Sequence, residues 1–307
     1  MRRILITGIA GFIGSNLAER LLNEGYYVVG IDNLSQGVIE QVPPGVEFHE
    51  LDIRSDDIHP FFWKIDTVFH LAAKNCISDC QKDPIETVSN NVLGQVNVFE
   101  AASLAGVRKV IYAESSAMYE GTTTFPIKET QEQPQSFYAL SKSAGRLFAK
   151  GYQQYRGLKM TALRYFNVYG PKQDYRRTIP PLMSSFIIKL LKGERPTIYG
   201  SGDKRRDFVY IDDVNDFHLR CLIDPYTDNR TFNVGSGTNH SVKEIFDIIK
   251  QQLHSNIEPI YEQDLPGEAA ITLADTWEAY RVGGWKASIG IEEGIERSIA
   301  YIRKLNL

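Results

Sequence analysis

The chain has 307 residues, 43% of them hydrophobic and 23% charged, with a formal net charge of −4. That is enough for one large domain or two modest ones around a sizeable core. No basic stripe speaks for nucleic acid, and no apolar run is long enough to span a membrane. Met1-Arg2-Arg3 leads straight into an apolar segment, leaving no room for a signal peptide, so a cytoplasmic protein is expected.

The first element is a strand, Arg3 to Thr7. It opens into Gly8-Ile9-Ala10-Gly11-Phe12-Ile13-Gly14 and then into a helical pattern from Ser15 to Leu22. Strand, glycine turn and helix form a phosphate cradle. Gly8 permits a tight turn, Gly11 lets the backbone approach a pyrophosphate, and Gly14 lets the helix pack close to the strand; the helix N-terminus then presents free N–H groups and its positive dipole end. The spacing is G-x-x-G-x-x-G rather than G-x-G-x-x-G. A second strand, Tyr27 to Ile31, ends in Asp32. That is near the distance at which an acid accepts hydrogen bonds from the adenosine ribose and disfavours a 2′-phosphate, so NAD is expected over NADP.

Val46–His49 is a short strand with Asp52-Ile53 at its end, and Asp66–Ala73 is another that closes on small residues. A flat cofactor lies close to such an edge. His70 reads as a core histidine. Residues 84–105 read as a helix, Lys109–Ala113 as a strand leading to Ser115-Ser116, and a second long helix starts near Ser136. Met160–Tyr165 is the next strand. Strands alternating with helices at this spacing predict an α/β fold, a Rossmann-type doubly wound parallel sheet covered on both faces.

The pattern loosens after Gly170-Pro171. A basic loop, a helix to about Lys192, short strands, a helix from Asp212, the strand Thr231–Val234 and helices near 241–252 and 291–303 follow. The expectation is a cofactor domain over 1–170 and a smaller α/β substrate-binding lobe over 171–307, with parts of 206–235 free to return to the first sheet. Cys76, Cys80 and Cys221 make an odd count. The first two, four apart, fit neither a C-x-x-C redox pair nor a zinc knuckle. Reduced structural thiols and no metal are expected.

Tyr138 and Lys142 stand at i and i+4, on one face of the second long helix. A Lys ammonium beside a phenol, together with a nearby nicotinamide cation, favours the phenolate and draws the tyrosine from its ordinary pKa of about 10 toward neutrality, as a general base requires. Tyr-x-x-x-Lys alone is a weak signal. Here it lies downstream of a dinucleotide cradle and behind a strand ending in hydroxyls that can orient a substrate oxygen.

With these pieces in order, the sequence resembles the extended short-chain dehydrogenases/reductases, in particular the NAD-dependent nucleotide-sugar epimerases and dehydratases. The landmarks run over essentially the whole chain: Gly8-x-x-Gly11-x-x-Gly14, Asp32-Asn33-Leu34-Ser35-x-Gly37, Asp52-Ile53, His70-Leu71-Ala72-Ala73, Asn91-x-x-Gly94, Tyr138-x-x-x-Lys142, Arg164 to Pro171 and Arg206 to Val214. The resemblance implies that Ser115 hydrogen-bonds the sugar 4-oxygen, that Tyr138 takes the 4-OH proton, and that Lys142 holds the nicotinamide ribose. It implies cofactor contacts from Gly8, Gly11, Phe12, Ile13, Gly14, Asp32, Asn33, Ser35, Gly37, Asp52, Ile53, Leu71, Ala72, Ala73, Lys74, Asn91, Tyr138, Lys142 and Tyr165. Substrate contacts are implied for Ser115, Ser116, Asn167, Ile198, Tyr199, Arg206 and Thr272. In the family the two long helices pair across a two-fold axis, which implies a homodimer.

Family members share oxidation at C4 to a 4-keto sugar. The 4,6-dehydratases carry an Asp-Glu pair just after the hydroxyl residue, and decarboxylases usually keep the Glu; here those positions hold Ser116 and Ala117. The resemblance therefore implies a 4-epimerase of UDP-hexoses or UDP-N-acetylhexosamines, with a dehydratase or decarboxylase as the alternative. A non-catalytic dinucleotide-binding regulator would tend to lose the Tyr or the Lys, and both are present. Thr272, two residues before Ala274-Asp275, occupies the size gate, and its small side chain leaves room for an N-acetyl group. Two departures stand out. Leu265-Pro266-Gly267-Glu268 lacks the usual diphosphate-binding arginine, for which Arg176, Arg177 or Arg205 are candidates. Tyr119 is followed by Glu120, either a solvated carboxylate or an acid for another reaction.

Overall fold

Strands that are apolar on both faces must be covered on both faces, and the order of elements does this. The computed structural model describes residues 2–176, 180–264 and 269–305. In chain order the strands are β1 (Arg3–Thr7), β2 (Tyr27–Asp32), β3 (Glu47–Glu50), β4 (Thr67–His70), β5 (Lys109–Ser115), β6 (Lys159–Tyr165), β7 (Val168–Tyr169), β8 (Thr197–Tyr199), β9 (Arg205–Arg206), β10 (Val209–Tyr210), β11 (Arg230–Val234), β12 (His240–Ser241) and β13 (Ile260–Glu262). The helices are α1 (Phe12–Asn23), α2 (Ile77–Lys82), α3 (Pro84–Val88), α4 (Gln95–Leu104), α5 (Phe137–Arg156), α6 (Leu182–Leu191), α7 (Ile211–Ile223), α8 (Val242–Gln252), α9 (Trp277–Gly283) and α10 (Ile291–Ile302).

The main sheet has the order β11-β6-β5-β4-β1-β2-β3, and every pairing in it is parallel. All carboxyl ends therefore lie along one edge, where ligands of doubly wound sheets bind. Period-two alternation splits the core. Ile4, Ile6, Val28, Phe69, Ile111 and Leu163 pack on one face with Leu17 and Leu21 of α1 and Val214 and Phe217 of α7. Leu5, Val29, Val68, Val110 and Met160 pack on the other with Val98 and Phe99 of α4 and Ala149 of α5.

Of the segment 206–235, only Arg230–Val234 joins the main sheet, beside β6. The short strands instead make two-stranded pairs, β10 with β7, β9 with β12 and β13 with β8. The helix expected over 84–105 is interrupted. Between α3 and α4, Ser89–Gly94 forms a π-helical turn, a widening often found at functional sites. It carries Asn91, which is buried and bonds the backbone of Lys74 through both amide atoms (2.8 and 2.9 Å) and Ser141 Oγ at 3.0 Å. α2 and α9 have no counterpart in the sequence reading. No helix among the described residues is long and apolar enough to cross a membrane.

The glycine turn sets the join between β1 and α1. Gly8 has φ +74°, and a Cβ there would sit 2.6 Å from Ala72 N; a Cβ on Gly14 would sit 2.2 Å from Gly8 O. Both neighbours are backbone and cannot rotate away. Gly14→Ala is therefore expected to cost about 1–3 kcal/mol through overpacking, read as a lower melting temperature. It should also lower the amount of dinucleotide that co-purifies, measured after acid release; wild-type stability and content would refute this account of the turn.

Candidate active site

A cleft of about 1140 Å³ runs along the carboxyl edge of the sheet, lined by the glycine turn, the ends of β2, β4, β5 and β6, and residues of α5 and α6. At one end, α1 begins at Gly11 with no side-chain cap, so its first N–H groups are available to an anion. A Cβ on Gly11 would meet only Gly8 O, at 3.2 Å, so the glycine keeps the wall open toward the cleft. Asp32 accepts from Ala10 N and Leu34 N, both at 2.9 Å. Its burial pushes the carboxyl above the ordinary range while these two N–H groups pull it down. A Cβ on Gly37 would lie 2.9 Å from Asp32 Oδ1, so that glycine gives the carboxylate its space. An uncapped helix start, an open glycine wall and a fixed acid at the end of β2 fit a dinucleotide such as NAD.

β5 ends at Ser115, whose Oγ accepts from Ala117 N at 3.2 Å and so caps the following 3-10 turn, Ser116–Tyr119. α5 starts at its cap Ser136, whose Oγ accepts from Ala139 N. It carries Tyr138 and Lys142 into the same cleft. Both are buried, at 8% and 4% exposure, and Lys142 Nζ lies 6.0 Å from the Tyr138 ring centroid. Nζ donates to Ala113 O at 3.0 Å. Burial pushes the Lys142 ammonium down to about 8, against the pull of Glu114 and Cys80. His70 is a buried core histidine held on Thr7 Oγ1 at 2.7 Å; burial, then the Lys142 charge, push it down to about 3.

Glu120 lines the cleft, and its carboxylate is held by the protein's own groups rather than freely solvated. It accepts from Gln135 N at 3.2 Å, Ser136 N at 2.7 Å and Ser136 Oγ at 2.8 Å. The carboxylate thus ties the 3-10 turn to the start of the helix that carries Tyr138, where the positive end of the helix dipole favours it.

At the far end, Asn167, Arg206 and Thr272 are gathered around Asp207. This carboxylate is fully buried and accepts from Ser236 N and Oγ, Gly237 N and Ala274 N at 2.7–3.1 Å. Asn167 Nδ2 donates to Asp207 O at 2.8 Å, and Thr272 Oγ1 accepts from Asp207 N at 3.0 Å and from Asn167 Nδ2 at 3.3 Å. The Thr272 hydroxyl is occupied by the protein's own groups.

Of the residues read from the sequence as site candidates, Gly8, Gly11, Phe12, Ile13, Gly14, Asp32, Asn33, Ser35, Gly37, Ile53, Leu71, Ala72, Ala73, Lys74, Ser115, Ser116, Tyr138, Lys142, Tyr165, Asn167, Tyr199, Arg206 and Thr272 line the cleft. Three stand back from its wall. Ile198 is fully buried in the core, because alternation in β8 turns Thr197 and Tyr199 toward the cleft instead. Asn91 is spent on Lys74 and Ser141. Asp52 is gripped by Arg54 at 2.7 and 2.9 Å and by Asn33 at 2.9 Å, which hold its carboxyl well below the usual range. The Tyr165 hydroxyl turns away to His218 Nε2 at 2.7 Å.

Among the candidate replacements for the missing arginine, Arg205 is bound to Glu244 and Asn239, whereas Arg176 lines the cleft. Arg177 and Leu265–Glu268 lie outside the described residues. The sequence reading missed one wall: Leu182, Met183, Ser185, Phe186 and Lys189 of α6 line the cleft. Their i, i+3, i+4 and i+7 spacing after Pro180-Pro181 was the available signal.

Comparison with known proteins agrees with this architecture. The model of the NAD dependent epimerase/dehydratase family matches residues 4–235. The chain is 34% identical to a UDP-glucose 4-epimerase of Mycolicibacterium smegmatis, over 98% of each chain. It superposes with a TM-score of 0.96 on the UDP-glucose 4-epimerase of Thermotoga maritima solved with UDP-glucose, at 32% identity over 99% of this chain and 100% of that one. It matches the UDP-N-acetylglucosamine 4-epimerase of Methanobrevibacter ruminantium solved with UDP-N-acetylmuramic acid at 0.95, with 30% identity over 99% of each chain. A cleft that combines a glycine cradle, an acid closing β2 and a buried Tyr–Lys pair, in a chain matched by that family model over most of its length, belongs to a member of the NAD dependent epimerase/dehydratase family.

Proposed function

We propose that the protein is an NAD-dependent nucleotide-sugar 4-epimerase acting on UDP-hexoses and UDP-N-acetylhexosamines. The observation that carries this is the buried Tyr138–Lys142 pair sharing one cleft with Ser115 and the glycine cradle, while the next two positions, Ser116 and Ala117, offer no carboxylate for elimination or decarboxylation. In the division of labour proposed, residues 1–170 hold the cofactor and 171–307, with β11 returned to the sheet, hold the nucleotide sugar.

NAD, held by the glycine cradle and Asp32, would supply reversible hydride acceptance at C4. Ser115 orients the 4-oxygen. Tyr138, as phenolate, accepts the 4-OH proton as the C4–O bond becomes a carbonyl, and gives it back after the 4-keto sugar turns over. The Lys142 charge favours that phenolate and holds the ribose. Thr272, bound to Asp207 and Asn167, forms a small wall that leaves space for a 2-acetamido group. The free thiols of Cys76, Cys80 and Cys221 suit a reducing compartment, and the cytoplasm is the proposed location.

The direct test incubates the protein, without added cofactor, with UDP-N-acetylglucosamine or UDP-glucose and follows the sugar protons by NMR. The galacto epimer is expected from both; a stable 4-keto or olefinic product would make the protein a dehydratase. Tyr138→Phe should lower kcat by about 10²–10⁴-fold with KM little changed.

The depressed Lys142 pKa has a direct consequence for the pH profile. The ammonium is charged below about 8 and loses its proton above it, so kcat/KM should fall on the alkaline side from near that pH. Lys142→Arg, which stays charged, should be slower but should lose that limb; an unchanged alkaline limb in the variant would assign it to another group.

The same helices present a broad apolar face. Ile85, Val88 and Leu104 on the α3–α4 segment and Leu147, Phe148 and Tyr155 on α5 are exposed. We assign this face to a homodimer in which the α3–α4 segment and α5 of two copies pair. Light scattering at micromolar concentration should give twice the 34.8 kDa chain mass, and Leu147→Asp with Phe148→Asp should give the monomer. A monomeric wild-type protein would refute the assignment.

A further inference from the structure

Beneath the proposed catalytic groups lies a chain of charged side chains, buried at Glu114 and Arg164 and half-buried at Glu132 and Arg146, that the reaction itself does not use. Parallel pairing sets Glu114 of β5 opposite Arg164 of β6, and Arg164 opposite Asn233 of β11. Arg164 is 1% exposed and Glu114 2%. Arg164 Nε donates to Glu114 Oε2 at 2.6 Å, and its two terminal nitrogens reach the Tyr119 hydroxyl at 2.7 Å and Glu132 Oε1 at 2.5 Å. Glu132 Oε2 in turn pairs with Arg146 at 2.7 Å. The four charges alternate in sign and sum to zero, which a low-dielectric site requires.

The ends of this chain matter. One guanidinium grips Glu114, immediately before Ser115, and Tyr119, four residues after it, so the Ser115 turn is held on both sides. Arg146 stands eight residues beyond Tyr138 on α5, at i+4 from Lys142 and on the same helix face, about 12 Å along the axis from Tyr138. The chain therefore joins the strand that presents the hydroxyl to the helix that presents the phenol and the ammonium. Neither Glu132 nor Arg146 lines the cleft.

We propose that the Glu114–Arg164–Glu132–Arg146 chain fixes the approach of Ser115 to Tyr138, making Glu132 and Arg146 positioning residues for the C4 oxidation. The inference rests on the assignment of Ser115 and Tyr138 as the groups that meet the 4-oxygen. Catalysis that depends on two groups contacting one oxygen is sensitive to displacements near 1 Å, which can cost about 10²-fold in rate.

The test uses the holoenzyme. Glu132→Gln cuts the link from the loop side and Arg146→Leu from the helix side, the latter leaving Arg164 with both carboxylates and so serving where Glu132→Gln folds poorly. Each is expected to lower kcat about 10- to 100-fold with KM within about twofold, and to slow the appearance of reduced-nicotinamide absorbance on mixing with substrate. The double variant should be no slower than either single one, and Arg146→Lys, which can still reach Glu132, should recover most of the rate. Adding Ser115→Ala to Arg146→Leu should cost far less than it does in the wild type, since both act on one geometry.

A merely structural role would lower the melting temperature and leave these ratios unmoved. Wild-type kcat in Glu132→Gln and Arg146→Leu, a change confined to KM, or losses that multiply with Ser115→Ala would overturn the coupling. If Ser115→Ala and Tyr138→Phe slow the enzyme while the chain variants do not, the coupling alone fails. If Ser115→Ala and Tyr138→Phe are themselves at the wild-type rate, the catalytic assignment fails and takes the coupling with it.

Discussion

The parallel register of β5 on β6 is the constraint on which the site depends. It places Ser115 beside Tyr165 and, one step back, Glu114 beside Arg164. Side chains alternate across a sheet, so one strand end sends a hydroxyl to the cleft and a carboxylate to the face covered by α5. A slip of one residue would exchange them, burying the hydroxyl and placing an unpaired carboxylate in the cleft. The apolar neighbours Val110, Met160 and Ala162 on one face and Ile111 and Leu163 on the other fix the register before any polar group is considered.

Buried charge is then admitted where an opposite charge or a full set of hydrogen-bond partners meets it. Leaving one member of a buried ion pair without its partner costs about 3–5 kcal/mol, so Arg164 is surrounded by Glu114, Glu132, the Tyr119 hydroxyl and the Glu129 carbonyl. Lys109, at the opposite end of β5, is fully buried and meets Cys221 O, Thr227 Oγ1 and Asp228 within 2.8 Å. Lys142 is the exception. Its ammonium is buried with one acceptor among the described residues, Ala113 O, and its proton is correspondingly easier to lose. A cation kept under-solvated inside a cleft is poised for a ligand and for tuning a neighbouring phenol.

The features legible in the sequence were those written in local spacing. The three glycines, Asp32 at the end of β2 and the i, i+4 placement of Tyr138 and Lys142 are set by turn sterics and helix pitch, which operate over a few residues. The helix over 84–105 was legible as an element but not in its π-helical turn, because the bonds of Asn91 to Lys74 and Ser141 cross 17 and 50 residues. Ile198 was misplaced for a related reason: alternation says that neighbours face opposite ways and does not say which of them faces the ligand. Glu120 could be read as a solvated carboxylate or as an acid for another reaction, and its partners Gln135 and Ser136 were not legible because they arrive from the far side of a loop.

By itself, then, the sequence determined the parallel α/β architecture, the dinucleotide cradle and the placement of Tyr138 and Lys142 on one helix face, since each follows from apolar periodicity or a short motif. Tertiary structure decided that β11 joins β6 while β9, β10 and β12 do not, that α6 forms a wall of the cleft, and that Glu114 and Glu132 meet Arg164 while Arg146 pairs with Glu132. Those pairings connect residues tens of positions apart. They are chosen by which buried charges and backbone groups find partners once the core has closed, and no local pattern records that choice.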